Sequence, residues 1–258
     1  MVIGLTSKAA GARFYYFKNG IDELAQQLLA QSTLQCGHEV LNIQYENNQF
    51  EITTQSKDQE DNQKYDRVIV ATTASIAHKL CAHLPKNIID DSQKDFLKSQ
   101  KYVANIHVAY QSPKLKIKPR VGSIFPAGPG LHPVAALSFH SVKDSPTDEH
   151  PDELISLYLS DTESRRIMND SDDAIYEHVL SLAQKIHPAI PKNAAPYFLI
   201  KRKEAIPVHA IGRYKLANEF LELQQEHKSP LAFCGDYLAT ATVEGAVTTG
   251  LNAANLFS

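Results

Sequence analysis

The chain has 258 residues, with 26 Lys and Arg against 29 Asp and Glu and a formal net charge of −3. That length can bury one large or two small cores, and the slight acidic excess argues against nucleic acid as a partner. Hydrophobic residues at 43% suit a globular protein, no apolar run is long enough for a transmembrane segment, and three scattered cysteines (Cys36, Cys81, Cys234) fit a reducing cytoplasm.

Residues 1–14 read MVIGLTSKAAGARF, an apolar stretch too short for a secretory signal, so the expected location is cytoplasmic. Phe14, Tyr15, Tyr16 and Phe17 precede Asn19-Gly20. Ile21, Leu24, Ala25 and Leu28 then have the spacing of an amphipathic helix. Residues 40–45 and 50–54 flank Glu46-Asn47-Asn48-Gln49 and predict a hairpin. Residues 55–64 read as a polar, charge-rich loop. Residues 65–71 (YDRVIVA) predict an apolar strand that runs into Thr72-Thr73. A helix follows over 75–84, stopped before Pro85, and a shorter one over 88–97.

The middle of the chain changes period. Tyr102, Ala104, Ile106, Val108 and Tyr110 alternate with Val103, Asn105, His107 and Ala109, which predicts a strand. Further strands are expected over 123–125, 134–142 and 153–159. Between them lie a turn at Pro126-Ala127-Gly128-Pro129-Gly130 and a polar loop over 143–151. Consecutive strands with short connections predict a largely antiparallel sheet. Ser171 caps a helix with Asp172 and Asp173 in its first turn and Ile175, Val179, Leu182 and Ile186 on its buried face, closed by Pro188. A short strand over 197–200 leads into Lys201-Arg202-Lys203-Glu204-Ala205-Ile206-Pro207. A surface helix follows over 216–227, and Pro230 opens the last strand.

The final stretch, LAFCGDYLATATVEGAVTTGLNAANLF, reads as strand, loop and helix. Val243, Ala246, Val247, Gly250, Leu251 and Ala254 fall at i, i+3, i+4, i+7, i+8 and i+11. A helix N-terminus offers free N–H groups and partial positive charge to an anionic or electron-rich ligand. Gly245 lets a flat ring approach the backbone, and Asp236 can accept hydrogen bonds from polyol hydroxyls. An ordinary strand-to-helix connection packed with small residues explains the same pattern.

Gly235-Asp236, a short loop, then V-E-G-A-V-T-T-G-L-N-A-A resembles the C-terminal flavin-binding signature of FAD-dependent amine oxidases, protoporphyrinogen oxidases and related desaturases. The resemblance implies that Asp236, after Gly235, contacts the ribityl-pyrophosphate region of FAD. It also implies that Val243, Glu244, Gly245 and Ala246 bring backbone N–H groups to the pyrimidine edge of the isoalloxazine. Earlier segments carry weaker echoes. Phe14 to Leu29 resembles the point where such enzymes re-enter the FAD domain. Val40 and Ile43 match a V-x-x-I strand that supplies backbone groups to the adenine, Val40 being the expected contact. Residues 65–73 resemble D-x-V-I-x-A-T-P, which implies that Thr72 approaches the dinucleotide, with Thr73 in place of the usual proline. Ala205, Pro207 and Gly212 fit a further A-x-P…G element, with Arg202 where the family usually has Trp.

The family opens with a strand, a G-x-G-x-x-G turn and a helix. Gly4 and Gly11 are isolated, and nothing here matches that unit. The resemblance therefore covers nearly the whole chain but only the C-terminal part of the family's architecture. The expected fold is α/β: an incomplete FAD-binding, Rossmann-like domain formed by the two chain ends (residues 1–99 and 213–258) around a substrate domain of largely antiparallel sheet and helices (100–212). The implied cofactor is FAD, shared with a partner polypeptide that carries the G-x-G-x-x-G unit, and the implied partner in chemistry is a small-molecule substrate. The implied reaction passes hydride to the flavin from a C–H next to nitrogen or from a saturated C–C unit. A scaffold subunit that keeps the fold without flavin is the competing reading, and a truncated product without a stable fold is a third.

His78, Cys81 and His83 lie close on one predicted helix but lack the further ligands of a metal site. His107, His132, His140 and His209 are dispersed, with no nucleophile–base–orienter pattern. No G-x-S-x-G or P-loop is present. No acid, base or nucleophile is nominated, because in such enzymes the cofactor does the redox chemistry.

Overall fold

In the computed structural model the described residues are 20–113, 115, 122–128, 130–142 and 152–258. The Phe14–Phe17 cluster, Asn19, Gly4, Gly11, Pro129 and the loop over 143–151 lie outside them. Contacts separate the described residues into two units, one containing Tyr102–Ile206 and the other built from residues 20–101 together with Pro207–Ser258.

The first unit grows from the period-two stretch. It forms β5 (Tyr102–Pro113), flanked by β8 (Asp152–Leu159) and β9 (Ala195–Pro207), with β7 (Val134–Phe139) and β6 (Ser123–Ile124) beyond β8. The order is β6-β7-β8-β5-β9, and the β6–β7, β7–β8 and β5–β8 pairs are all antiparallel. Ile106, Val108, Leu137, Phe139, Ile155 and Leu157 form the buried face. The helix α5 (Asp172–Ile186) lays Ile175, Val179, Leu182 and Ala183 against it. Full burial of each large aliphatic side chain contributes about 1.5–3 kcal/mol. Ser171 caps α5 by accepting from the Ala174 amide, as its sequence predicts. Three features depart from expectation. A helix α4 (Asp161–Ile167), capped by Ser160, precedes α5. The strand over 134–142 stops at Phe139 and continues as a 3-10 turn, His140–Val142. The short strand over 197–200 is a 13-residue edge strand, β9, whose side chains are largely exposed, so no apolar alternation announces its length.

In the second unit β1 (Glu39–Glu46), β2 (Gln49–Ser56) and β3 (Gln59–Tyr65) form an antiparallel meander. Asn47 and Asn48 take positive φ at the first turn, a conformation Asn tolerates well. Residues 55–64 are therefore not a loop. They finish β2, turn at Lys57 (φ 56°) and supply β3, which has no buried face for a hydrophobic period to report. The apolar strand expected over 65–71 contracts to β4 (Val68–Val70), since Tyr65 belongs to β3. β4 pairs in parallel with β10 (Leu231–Phe233).

Helices α1 (Asp22–Leu29), α2 (Ala74–Cys81), α3 (Asp91–Ser99), α6 (Arg213–His227) and α7 (Val243–Asn255) complete this unit. The helix expected over 88–97 starts at Asp91, fixed by a reciprocal Asp90–Gln93 capping box. α3 and α6 meet through Phe96 and Phe220, ring centroids 5.1 Å apart, with the Arg213 guanidinium 3.5 Å above the Phe96 ring. No residue of α1 is buried, although its apolar spacing predicts one buried face.

Candidate functional site

The site forms at the carboxyl ends of the parallel pair, where ligands gather in open α/β sheets. Phe233 stands opposite Val70 in register, and the Cys234 amide donates to the Val70 carbonyl at 3.1 Å. Ala71-Thr72 and Cys234-Gly235-Asp236 therefore leave neighbouring strands at one edge. The two strands close differently on their outer sides. Leu231 and Phe233 turn away from β4. The Leu231 amide donates to Ser229 Oγ at 3.1 Å, and the Phe233 amide donates to Gln224 Oε1 at 2.7 Å while its carbonyl accepts from Gln224 Nε2 at 3.3 Å. The outer edge of β10 is thus sealed by side chains. On β4, Val68 and Val70 bond toward β10, so alternation turns the Ile69 N–H and C=O outward. They have no partner among the described residues, and Ile69 is 39% exposed.

Gly235 lies at φ 152°, ψ 162°, and a Cβ there would sit 2.6 Å from the Tyr237 ring, so the turn out of β10 requires glycine. Thr249, on α7, holds that turn. Its hydroxyl accepts from the Gly235 amide at 3.0 Å and lies within bonding distance of the Gly235, Gly245 and Ala246 carbonyls. Asp236 opens a short 3-10 turn, Asp236–Leu238. Its partly buried carboxyl is pushed above the usual carboxylate range, mainly by desolvation. The nearby His209 and the backbone amides of Asp236 and Tyr237 pull the other way.

Thr242 caps α7. Its Oγ1 accepts from the Gly245 amide at 3.1 Å, and its carbonyl accepts from the Ala246 amide at 3.1 Å. Two of the amides expected to face a ligand are therefore committed within the chain. The amides of Val243 and Glu244 have no partner among the described residues, so the free donors sit earlier in the first turn than the E-G-A reading expects. Gly245 is buried against the Thr240 backbone, while Val243, Glu244 and Ala246 are exposed.

The apolar stripe of α7 is also not the buried one. Gly245, Thr249 and Ala253 face inward, with Ala253 packed against Ala232 and Cys234 of the β10 segment. Val243 (55% exposed) and Leu251 (61%) face out, with Val247 and Gly250 half-buried beside them. Small residues at i, i+4 and i+8 allow closer backbone approach than the valines and leucine would.

The remaining sequence-nominated residues divide. Thr72 is exposed just past β4 and donates to the Thr73 carbonyl at 3.2 Å. Val40 lies on β1 at an irregularity in the β1–β2 register, with its side chain 39% exposed. Ile43, the other residue of that spacing, is buried in the meander, and its carbonyl meets His83 Nε2 at 2.8 Å. Cys81 is buried, and burial pushes its thiol up to about 12. Sequence reasoning missed Thr242 and Thr249. Only the first carried a local signal, a Thr placed just before a helical period.

A family profile described as "Flavin containing amine oxidoreductase" matches residues 4–256. The chain belongs to this family. Among solved structures, a putative protoporphyrinogen oxidase from Exiguobacterium sp. 255-15 is similar at TM-score 0.69 and 12% identity, over 92% of this chain and 51% of its own. A double mutant of putrescine oxidase, redesigned in cofactor binding, is similar at TM-score 0.63 and 15% identity, over 93% and 53%. Wild-type putrescine oxidase bound to putrescine is similar at TM-score 0.61 and 15% identity, again over 93% and 53%. The chain therefore shares the amine oxidoreductase fold and spans about half the length of these structures. Comparison with curated protein sequences gives no significant match. The fold is mixed α/β with antiparallel sheets and seven helices among the described residues. None of those helices is long and apolar enough to cross a membrane.

Proposed function

We propose that this chain is the C-terminal part of an FAD-dependent oxidoreductase of the amine oxidase and protoporphyrinogen oxidase type, working as a subunit of a heteromer. In this reading a separate polypeptide supplies the G-x-G-x-x-G nucleotide-binding unit. Residues 1–99 and 213–258 contribute to an incomplete Rossmann-like FAD domain, and 100–212 shape the space for a small-molecule substrate. The three unpaired cysteines are consistent with a reducing, cytoplasmic setting.

The observation that carries the reading is the asymmetric edge of the β4–β10 pair. One side is finished by Gln224 and Ser229, and the other presents the Ile69 backbone to a further strand. A parallel sheet of two strands is otherwise far short of what such sheets need for burial. The outward apolar stripe of α7 and the exposed Ile21, Leu28 and Leu29 around α1 give an incoming βαβ unit apolar surface to cover.

The residues at the carboxyl edge fit one end of a flavin nucleotide. Gly235 leaves no Cβ at the turn, Asp236 offers a carboxylate for hydroxyl groups, and the Val243 and Glu244 amides offer two donors at a positive helix end. Nothing comparable for a diphosphate exists among the described residues, which is why the second polypeptide is part of the proposal. A flavin held there would supply hydride-accepting redox chemistry, with oxygen or another acceptor to regenerate it. This chain's contribution is to hold the cofactor's ring end and to exclude water beside it. Val40 and Thr72 are assigned to the adenine and strand-end contacts.

A scaffold role without flavin has one observation in its favour, the internal commitment of the Gly245 and Ala246 amides. Co-expression with a polypeptide bearing the G-x-G-x-x-G unit separates the two. The enzyme reading predicts a purified complex with visible flavin absorbance, and a colourless complex supports the scaffold.

A further inference from the structure

A groove of about 650 Å³ runs between α3 and α6, with Phe96, Leu216, Phe220 and Leu223 as its apolar floor. Its walls are fixed within the chain. Gln93 Nε2 donates to the Phe220 carbonyl at 3.3 Å, and the Arg213 guanidinium donates to the Phe96 carbonyl at 2.9 Å and to Ser99 Oγ at 3.0 Å. The groove is thus built before any occupant arrives. Leu216 is 48% exposed and Leu223 half-buried, so the floor is apolar surface left in contact with water. None of the lining residues belongs to β4, β10 or α7.

The rim is acidic. Asp95 of α3 and Glu219, Glu222 and Glu226 of α6 line the same groove, and all four are exposed. Lys215 lies 3.7 Å from Glu219, while Asp95, Glu222 and Glu226 have no ion pair among the described residues. Glu219, Glu222 and Glu226 stand at i, i+3 and i+7, so like charges stack along one stripe and repel. Glu226 also sits in the last turn of α6, at the negative end of the helix dipole, where a carboxylate is disfavoured. An occupant that relieves both the wet floor and the crowded rim brings apolar side chains together with positive charge. The exposed helix α1 of the same unit has the wrong sign for this, since it carries Asp22 and Glu23 and no Lys or Arg.

We propose that the α3–α6 groove docks a basic amphipathic helix of a partner polypeptide, with its apolar side chains on the floor and its Lys or Arg side chains along the acidic rim. From Leu216 to Glu226 the groove spans about 15 Å at 1.5 Å per residue, which suits a helix of about three turns. The groove contains no residue assigned to the cofactor, so this docking stands apart from the flavin reading.

The test uses the full chain and three fluorescein-labelled, stapled helical peptides of about three turns, because free peptides of that length are barely helical in water. The first carries leucines at i, i+4 and i+7 with lysines beside them. The second exchanges those lysines for glutamates, and the third keeps the composition of the first with its leucines scattered around the helix. Fluorescence anisotropy should show binding of the first peptide alone. Glu222→Lys combined with Glu226→Lys should weaken that binding about tenfold and allow the second peptide to bind. Leu216→Gln should weaken the first peptide about fivefold, since half of that side chain is already in water. These substitutions fall on exposed positions, so melting midpoints should hold or rise. Equal binding of the first and third peptides reduces the effect to bulk charge, and equal binding of the first and second shows that the rim selects nothing. Either result overturns the proposal, as does failure of the first peptide to bind or an unchanged affinity in either variant.

Discussion

Replacing Gly245 with Ala puts the account of the α7 start under direct strain. An added Cβ would lie 2.1 Å from the Thr240 carbonyl oxygen, 2.9 Å from Thr240 Oγ1 and 3.1 Å from the Thr240 carbonyl carbon. The nearest obstacle is backbone, so no side-chain rotation relieves it. Overpacking of this kind costs about 1–3 kcal/mol, and a contact this short belongs at or beyond the upper end. Gly to Ala within a helix returns about 1 kcal/mol. The net expectation is a loss of about 2 kcal/mol. Gly250 on the same helix is the control, since a Cβ there meets nothing within 4 Å. Gly250→Ala should therefore gain about 1 kcal/mol from propensity alone. Urea unfolding of the full chain reads both, with unchanged slopes and midpoints displaced in opposite directions. If G245A proves as stable as G250A, Thr240 does not abut α7 as described, and the geometry of the Gly235-to-Ala246 loop is wrong.

Three further outcomes follow from the same contacts. Asp236 has a folded-state pKa raised above its ordinary 3.8, so its ionised form opposes folding. That penalty is absent below the unfolded value, grows as pH rises through the raised folded value, and is complete above it. Asp236→Asn should thus stabilise the ligand-free chain at neutral pH while weakening riboflavin binding, measured by melting and fluorescence on the same samples. Gln224→Leu leaves the Phe233 N–H and C=O buried without partners, and about 1–3 kcal/mol for each such group predicts a clear fall in the urea midpoint. In the other unit, Glu163 is held below the usual range by Arg166 and by His178, against a desolvation cost. Its stabilising contribution is present above the unfolded value and disappears as pH falls through the lowered folded value. Acid unfolding should therefore be steeper in the unmodified chain than in Glu163→Gln, as followed by circular dichroism.

How much of this was legible beforehand depends on whether a residue's signal is local. The β4 and β10 strands, the α5 cap at Ser171 and the start of α7 at Val243 all come from short apolar runs or capping residues, and the structure keeps them. β3 and β9 were not legible as full strands, because edge strands with polar or exposed side chains have no period to read. The α7 stripe was misassigned for a related reason. Spacing identifies an apolar face but not whether this chain or another covers it, and Gly245, Thr249 and Ala253 pack inward because they are small. Within the candidate site, Gly235 and Asp236 were visible from their order in sequence. The Thr249 clamp depends on contacts between segments distant in the chain.

On the proposed reading, the open side of β4 receives a strand from a nucleotide-binding unit, completing a flavin site. Proline at position 69 addresses it most directly. It removes the outward N–H while sparing the Val68 and Val70 bonds to β10, and edge strands tolerate proline at such positions. Flavin absorbance of the complex co-purified with a G-x-G-x-x-G polypeptide is the measurement. The unmodified chain should yield a flavin-loaded complex, and Ile69→Pro a folded chain that recovers neither partner nor flavin. Equal flavin content in both preparations, or a flavin-free complex with the unmodified chain, contradicts it.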